Sequence, residues 1–155
     1  MSVKNHSSEV LVCNQDFNIS ELQAQLTAHS TNIGAITSFV GLVRNINEGD
    51  CVYEMELEHY AGMTEVSIQA IIDEAKQRWQ LSAVKVVHRV GKLMPGEQIV
   101  YVGVASLHRG QSFLACEFIM DYLKTRAPFW KKETLEGKAR WVDARNTDQT
   151  AAERW

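Results

Sequence analysis

The stretch DYLKTRAPFWKKE, residues 121–133, decides how this chain is organised because it joins a helix to a strand across one proline. Residues 111–127 carry apolar side chains at helical spacing, and Pro128 ends the helix because it has no N–H to donate. The residues after the proline alternate in character, as an extended strand does. A break at this point would bring Lys124 and Lys131 towards a common site.

These basic side chains have two interpretations. Lysines held close together repel, so each loses its proton more easily than an isolated lysine and each attracts anions. Taken alone, however, Lys124 is a cation near a helix C-terminus, where the helix dipole favours it. If one face of the extended segment is buried, either Lys131 with Glu133 or Lys132 is drawn in beside the aromatic rings. Otherwise the KKE edge is solvated and discourages strand aggregation.

Length and composition indicate an ordinary globular protein. The chain has 155 residues, of which 45% are hydrophobic and 23% charged, and this size suits a single domain with its own core. No segment approaches the roughly 20 apolar residues that span a bilayer. The first ten residues, MSVKNHSSEV, lack the apolar centre of a signal peptide. We therefore expect one domain over residues 1–155, located in the cytoplasm and not bound to a membrane.

The charge is unevenly distributed. The net charge is −3, yet residues 124–145 contain seven basic and three acidic side chains. Proteins that bind nucleic acids in general tend to be basic overall. An acidic protein with one basic patch fits a small anionic ligand better, so we expect no nucleic-acid partner.

Nothing in the sequence favours a metal or a nucleotide site. The three cysteines, at positions 13, 51 and 116, are far apart and form no CxxC pair, which argues against disulfides and tetrahedral zinc. The glutamates at 54, 56 and 58 alternate with larger side chains, as on the solvated face of a strand. No GxGxxG, GxxxxGK[ST] or HExxH motif is present.

Hydrophobic periodicity predicts the element order β-α-β-β-α-β-β-α-β. The predicted strands are residues 9–13, 33–44, 51–58, 84–90, 98–107 and a final extended piece that runs over 129–135, turns at Gly137 and continues over 140–145. The predicted helices are 19–29, 64–79 and 111–127. Short turns between consecutive strands favour a mostly antiparallel sheet with packed helices, an α+β fold. Residues 33–44 are apolar on both faces, which predicts a central strand, and we expect them to form a hairpin with residues 51–58.

Two further groups of residues could bind an anion. His108 and Arg109 end a buried strand just before a helix, whose free backbone N–H groups could join them in a phosphate site; a structural histidine is an equally good explanation. Arg44 ends the long strand, and it belongs to a site only if its strand end meets His108 and Lys124. The isolated His59 and His88 are interpreted as structural.

Six blocks of sequence resemble the large, catalytic subunit family of molybdopterin synthase. They follow the family's order, span about two thirds of the chain, and the block containing KTRAPFWKKE is highly specific. The blocks are FVGLVRN (39–45), LEHYAGMTE (57–65), HRVGKLMPGE (88–97), SLHR (106–109), FIMDYLKTRAPFWKKE (118–133) and RWVDAR (140–145).

The resemblance implies a sulfurtransferase that makes part of the molybdenum cofactor. A small ubiquitin-like partner would carry a thiocarboxylate on its C-terminal Gly-Gly tail and insert that tail into this chain. Sulfur would pass to cyclic pyranopterin monophosphate, and two transfers would build the dithiolene of molybdopterin. The resemblance implies no permanently bound cofactor and a heterotetramer with a dimer of this chain at its centre.

The resemblance also implies roles for individual residues. Lys124 and Lys131 would be catalytic. Substrate binding would involve these two lysines together with Leu42, Val43, Arg44, His108, Arg109, Lys132 and Glu133, and the pocket would include Phe39, Met120 and Arg145. Leu42 departs from the polar or basic residue expected there, which leaves it a backbone contact.

A different class of function competes with this one. An α+β module without catalytic activity could hold a phosphorylated ligand or RNA on the basic patch. Phe129 and Trp130 lie among the lysines and could stack with bases. The acidic total charge argues against this alternative.

Overall fold

The computed structural model describes residues 9–28, 30–142 and 146–155. The strands are β1 (Val10–Cys13), β2 (Ala35–Leu42), β3 (Ile46–Asn47), β4 (Asp50–Cys51), β5 (Glu54–His59), β6 (Leu81–Arg89), β7 (Gly91–Leu93), β8 (Gln98–Ser106), β9 (Phe129–Leu135) and β10 (Lys138–Val142). The helices are α1 (Ile19–Thr27), α2 (Met63–Arg78), α3 (Arg109–Thr125) and α4 (Asn146–Glu153). No helix in these ranges has the length and apolar character needed to cross a bilayer.

The first sheet has the strand order β1-β6-β8-β2 and is covered on both faces. Only β1 and β6 run parallel; the other neighbours are antiparallel. On one face, Val86 and Val102 pack against α2 and α3 in the largest core cluster. On the other face, Val87 and Tyr101 pack against Leu22 of α1. Because both faces are buried, β8 is apolar along nearly its whole length.

The second sheet, β10-β9-β5-β7, is entirely antiparallel. Its inner face buries Met55, Leu57 and Leu93. Its outer face carries the alternate residues of each strand, including the exposed Trp130 and Trp141. The resulting pattern of one buried and one solvated face is the usual one for antiparallel sheets.

The α+β class and the mostly antiparallel pairing are confirmed, but the predicted place of β2 was wrong. β2 pairs with β8 and lies at the edge of its sheet among the described residues, so it is not central. It forms no hairpin with β5, which pairs with β7 and β9 instead. The small β3–β4 hairpin, which turns at Glu48 and Gly49 with φ of 53° and 86°, carries the chain between the two sheets.

Helix α4 was not predicted. Its sequence, NTDQTAAE, is polar and lacks an apolar stripe, so periodicity gives little sign of it. It is held against α3, where Arg154 pairs with Asp121 at 3.1 Å and the Trp155 indole N–H donates to the same carboxylate at 2.5 Å. The predicted extension of β10 to Arg145 lies outside the described residues.

Candidate active site

A cavity of about 620 Å³ opens between the C-terminal end of β2, the last turn of α3 and the inner face of the second sheet. Most of the predicted site residues contribute to its wall. Those that line it are Phe39, Leu42, Val43, Arg44, Met120, Lys124, Lys131 and Glu133. Arg145, which was predicted to belong to the pocket, lies outside the described residues.

The junction at Pro128 positions Lys124. The amine sits in the last turn of α3, four residues after Met120, so both side chains face the cavity. The helix cannot continue through Pro128, and the Thr64 hydroxyl at the start of α2 donates to the Pro128 carbonyl at 3.0 Å. Thr64 is fully buried. This hydrogen bond therefore ties the helix-to-strand turn to α2.

The alternation of β9 places Lys131 and Glu133 inside and Lys132 outside. Lys131 lies opposite Leu57 of β5, whose side chain is buried, and both line the cavity. Lys132 lies opposite Glu56 on the solvated face, with its amine 5.8 Å from the centre of the Trp141 ring. The sequence left open whether Lys131 with Glu133, or Lys132, faces the interior. The structure places Lys131 and Glu133 there. Lys132 therefore does not form part of the wall of this cavity.

The surroundings of Lys131 favour its uncharged form. Burial, and after it the positive charge of Lys124, lowers the pKa of Lys131 to about 8. Lys124 is also a hydrogen-bonding neighbour of Lys131, whereas the carboxylates of Asp148 and Glu133 oppose the shift. At neutral pH roughly one Lys131 in ten is therefore an uncharged amine, against far fewer for a solvated lysine. Lys131 can both give and take a proton near pH 7.

Glu133 is held by the surrounding protein. Its carboxylate is buried and accepts from Asn47 Nδ2 at 2.9 Å and from Arg140 Nε and Nη2 at 3.3 Å each. Arg140 also pairs with Asp50 at 2.7 Å. We call Asn47, Asp50, Glu133 and Arg140 the carboxylate clamp. It joins the β3–β4 hairpin to β9 and β10 beside the cavity.

The clamp also positions Arg44. The Arg44 guanidinium donates through Nη2 to Asn47 Oδ1 at 3.4 Å. The preceding residue, Val43, is buried and exchanges backbone hydrogen bonds with the loop before β8, through Glu97 O at 2.9 Å and Gly96 N at 2.8 Å. Leu42 is 53% exposed at the mouth of the cavity. Arg44 thus adds a positive charge to the wall that also holds Lys124 and Lys131.

His108 and Arg109 are far from this cavity within one chain. Arg109 begins α3 and Lys124 lies in its last turn, so roughly 22 Å of helix separates them at 1.5 Å per residue. β2 and β8 are antiparallel, with Ala35 opposite Ser106 and Leu42 opposite Gln98. The strand ends that bear Arg44 and His108 therefore lie at opposite ends of the sheet and do not meet. Arg44 was predicted to belong to a site only if it met both His108 and Lys124; within one chain it shares the cavity with Lys124 and not with His108.

Three polar residues of the cavity wall were missed by sequence reasoning: Asn47, His88 and Asp148. Asn47 was read only as part of a turn, and His88 only as structural. Asp148 belongs to α4, the helix without an apolar stripe. Only contacts between distant segments reveal these residues. For His88 there was one signal in the sequence, because it begins the family-like block HRVGKLMPGE.

The cavity has neither a thiol nor a metal-binding group of residues. Cys13, Cys51 and Cys116 are absent from its wall. Burial raises the pKa of Cys116 to about 12, which leaves it unreactive. Within the described ranges, no three His, Cys, Asp or Glu side chains are grouped closely enough to hold a metal ion.

Comparisons with known proteins identify relatives of this chain. Residues 12–126 match the family described as MoaE protein. The molybdopterin synthase catalytic subunit of Ralstonia nicotianae is 59% identical over 140 residues, which cover 90% of this chain and 80% of that relative.

Solved structures share the fold. A molybdopterin biosynthesis MoaE protein from Burkholderia ambifaria has a TM-score of 0.82 and 49% identity, over 96% of this chain and 97% of its own. A chain from the complex of subunits 1 and 2 of molybdopterin-converting factor from Helicobacter pylori has a TM-score of 0.73 at 21% identity, over 89% of this chain and 92% of its own. By its matched length and identity, this chain belongs to the MoaE family, whose curated members are catalytic subunits of molybdopterin synthase.

Proposed function

We propose that this chain transfers sulfur from the C-terminal thiocarboxylate of a small ubiquitin-like carrier protein to cyclic pyranopterin monophosphate. Two transfers would form the dithiolene of molybdopterin. The observation that carries the proposal is the meeting of Lys124 and Lys131, from either side of Pro128, in one cavity. Family membership supports the same reaction.

The charges of the cavity suit this reaction. Thiocarboxylate, phosphate and a tetrahedral intermediate are all anionic, and fixed cations stabilise the negative charge that develops during acyl transfer. Arg44 and Lys124 supply such cations, while Lys131, with a pKa of about 8, can also move a proton near neutral pH. Apolar residues of the wall, such as Met120 and Leu57, exclude water from these charges.

The sulfur would come from outside the chain. None of the three cysteines lines the cavity, so no thiol of this protein can relay sulfur to a substrate held there. A carrier protein that inserts its own thiocarboxylate tail meets this need. The Helicobacter pylori fold neighbour was solved as a complex of two different subunits, which is consistent with such a partner.

His108 and Arg109 would serve the cavity of a second copy of this chain. They are roughly 22 Å from Lys124 along α3, so a role in binding the pterin or its phosphate requires a neighbouring protomer. This fits the proposed heterotetramer, with two copies of this chain at the centre and one carrier on each. All three cysteines are free thiols, in keeping with work in the reducing cytoplasm.

The alternative of a binding module without catalytic activity has less support. Phe129, one of the two aromatics proposed to stack with bases, is covered by the His88 ring at a centroid distance of 3.9 Å. Trp130 lies on the outer face of β9, away from Lys131. Phe129 and Lys131 therefore do not share with Trp130 the continuous stacking surface that single-stranded nucleic acid requires.

Reconstitution tests the proposal. The chain is mixed with a carrier protein ending in a Gly-Gly thiocarboxylate and with cyclic pyranopterin monophosphate, and sulfur in the pterin product is counted by mass spectrometry. We expect two sulfur atoms per pterin, and none when the carrier ends in an ordinary carboxylate. A product without sulfur at saturating thiocarboxylated carrier would contradict the proposal.

A further inference from the structure

His88, at the end of β6, is a cavity residue with a defined tautomer. It lies among the residues that line the cavity, and its Nδ1 is 2.8 Å from the Arg89 carbonyl oxygen. Because a carbonyl oxygen can only accept, Nδ1 must carry the ring proton. The proton-free nitrogen is therefore Nε2, which can accept a hydrogen bond.

The surroundings of the ring leave Nε2 available to a ligand. Phe129 covers one face of the imidazole, with an interplanar angle of 20°, and the Nδ1 edge is occupied by the backbone of Arg89. No hydrogen-bond donor within the described ranges contacts Nε2. One face of the ring and its Nδ1 edge are thus occupied by protein. Nε2 is left to accept a hydrogen bond from a molecule that enters the cavity.

The cavity keeps this imidazole neutral. The pKa of His88 is lowered to about 4, chiefly by burial. The hydrogen bond to the Arg89 carbonyl opposes this shift, and the positive charges of Lys124 on α3, Lys131 on β9 and His59 on β5 add to it. The other charged side chains of the wall are Arg44, Glu133 and Asp148. A histidine with an ordinary pKa of about 6.5 would lose its accepting lone pair in mildly acidic solution. His88 keeps its lone pair.

We propose that His88 is a substrate-binding residue whose Nε2 accepts a hydrogen bond from an N–H or O–H group of the bound heterocycle. The inference rests on the proposed function and assigns a different part of the substrate to each type of residue. The charged forms of Lys124, Lys131 and Arg44 are hydrogen-bond donors, suited to the anionic parts. The Glu133 carboxylate already accepts from Asn47 and Arg140. Asp148 could also accept a hydrogen bond, but its negative charge would repel a phosphate. His88 accepts a hydrogen bond without carrying a negative charge.

Two substitutions separate the edges of the ring. In His88→Asn the side-chain amide can still donate to the Arg89 carbonyl but does not reach the position of Nε2. In His88→Gln the longer side chain can place its carbonyl oxygen near that position. His59→Asn is the matched control, because His59 is close to Phe129 in the strand register but is not part of the cavity wall.

The measurement is the affinity of cyclic pyranopterin monophosphate, by titration calorimetry, for the complex of the chain with a carrier that ends in a carboxylate. A carboxylate tail carries no sulfur to transfer, so binding is measured without turnover. One hydrogen bond is worth about 1 kcal/mol, so we expect His88→Asn to bind about 5-fold more weakly than wild type. We expect His88→Gln and His59→Asn to stay within about 2-fold, and all variants to show cooperative thermal unfolding. The affinity ratio of wild type to His88→Asn should stay constant between about pH 5.5 and 7.5.

The possible outcomes separate the inference from the proposed function. If the wild-type complex binds the substrate and His88→Asn binds equally well, the inference is wrong while the proposed function stands. If His88→Asn and His88→Gln lose affinity equally, His88 is only structural, and the inference is again wrong. If the wild-type complex does not bind the substrate, both are overturned.

Discussion

At the scale of single residues, the two adjacent lysines of β9 have different environments. Lys131 faces Leu57 inside the cavity, whereas Lys132 faces Glu56 and the solvent. The sequence predicted that Lys131 and Glu133 share a face but not which face is buried. That choice depends on the register with β5, a strand more than 70 residues away along the chain. Contacts of this kind leave no local pattern in a sequence.

The lowered pKa of Lys131 gives it a distinct reactivity. Because this pKa is about 8, we expect a sub-stoichiometric acylating reagent at pH 7 to modify Lys131 before the solvated lysines. The neutral amine is the reactive form, so the labelling rate should rise with pH and level off above about pH 8. Peptide mass spectrometry after timed labelling measures this, with the exposed Lys92 as internal control. Equal labelling of Lys131 and Lys92 at pH 7 would contradict the assigned pKa.

Contacts between distant segments also explain why the sequence could not distinguish the roles of two histidines. His59 and His88 both lie at the end of a strand and both looked structural, yet only His88 lines the cavity. His59 instead contacts Glu65, at 3.7 Å. The difference comes from β6 and β9, which belong to different sheets and meet where His88 stacks on Phe129.

At the scale of elements, the helix-to-strand junction was predictable and the sheet order was not. Proline chemistry placed the break at Pro128, and the bounds of α3 and β9 followed closely. β2 is apolar on both faces, which predicted a central strand. One of those faces packs against α3, and Phe39 and Val40 help to line the cavity. An edge strand beside a cavity therefore resembles a buried strand in composition.

The carboxylate clamp gives a test at this scale. Glu133→Gln keeps one accepting oxygen but removes the charge that Arg140 and Asn47 address. Charged hydrogen bonds of this kind are worth about 1.5–3 kcal/mol, so we expect a comparable loss in the free energy of unfolding. We also expect slower sulfur transfer, because Arg44 is positioned through Asn47.

Urea denaturation of wild type and variant measures the stability change. Glu136→Gln is the matched control, since Glu136 is exposed in the turn between β9 and β10. Unchanged stability of Glu133→Gln would contradict the assigned role of the clamp.

At the scale of the whole molecule, one chain does not bring all the predicted site residues together. Lys124 and Lys131 share a cavity, but His108 and Arg109 lie at the other end of α3. The resemblance to the family predicted both groups of residues but not the distance between them. If both groups bind one substrate molecule, the functional unit contains two copies of the chain.

Mixed dimers test this arrangement. Arg109→Ala and Lys131→Ala chains, each with a different affinity tag, are co-expressed and the mixed species is isolated. One of its two sites then combines an intact Lys131 with an intact Arg109 from the other copy. We expect about half of the wild-type activity, well above that of either variant alone. Activity no higher than that of the separate variants would contradict sharing between copies.

The central claim is that the amines of Lys124 and Lys131 meet in one cavity and carry the transfer of sulfur. The most direct test is the single-turnover rate of sulfur transfer, at saturating thiocarboxylated carrier and substrate, for Lys124→Ala, Lys131→Ala and the control Lys92→Ala. We expect the first two to fall by about 10²–10³-fold, as when a donor to a developing anion is removed, and the control to match wild type. Rates near wild type for both cavity variants would contradict the claim.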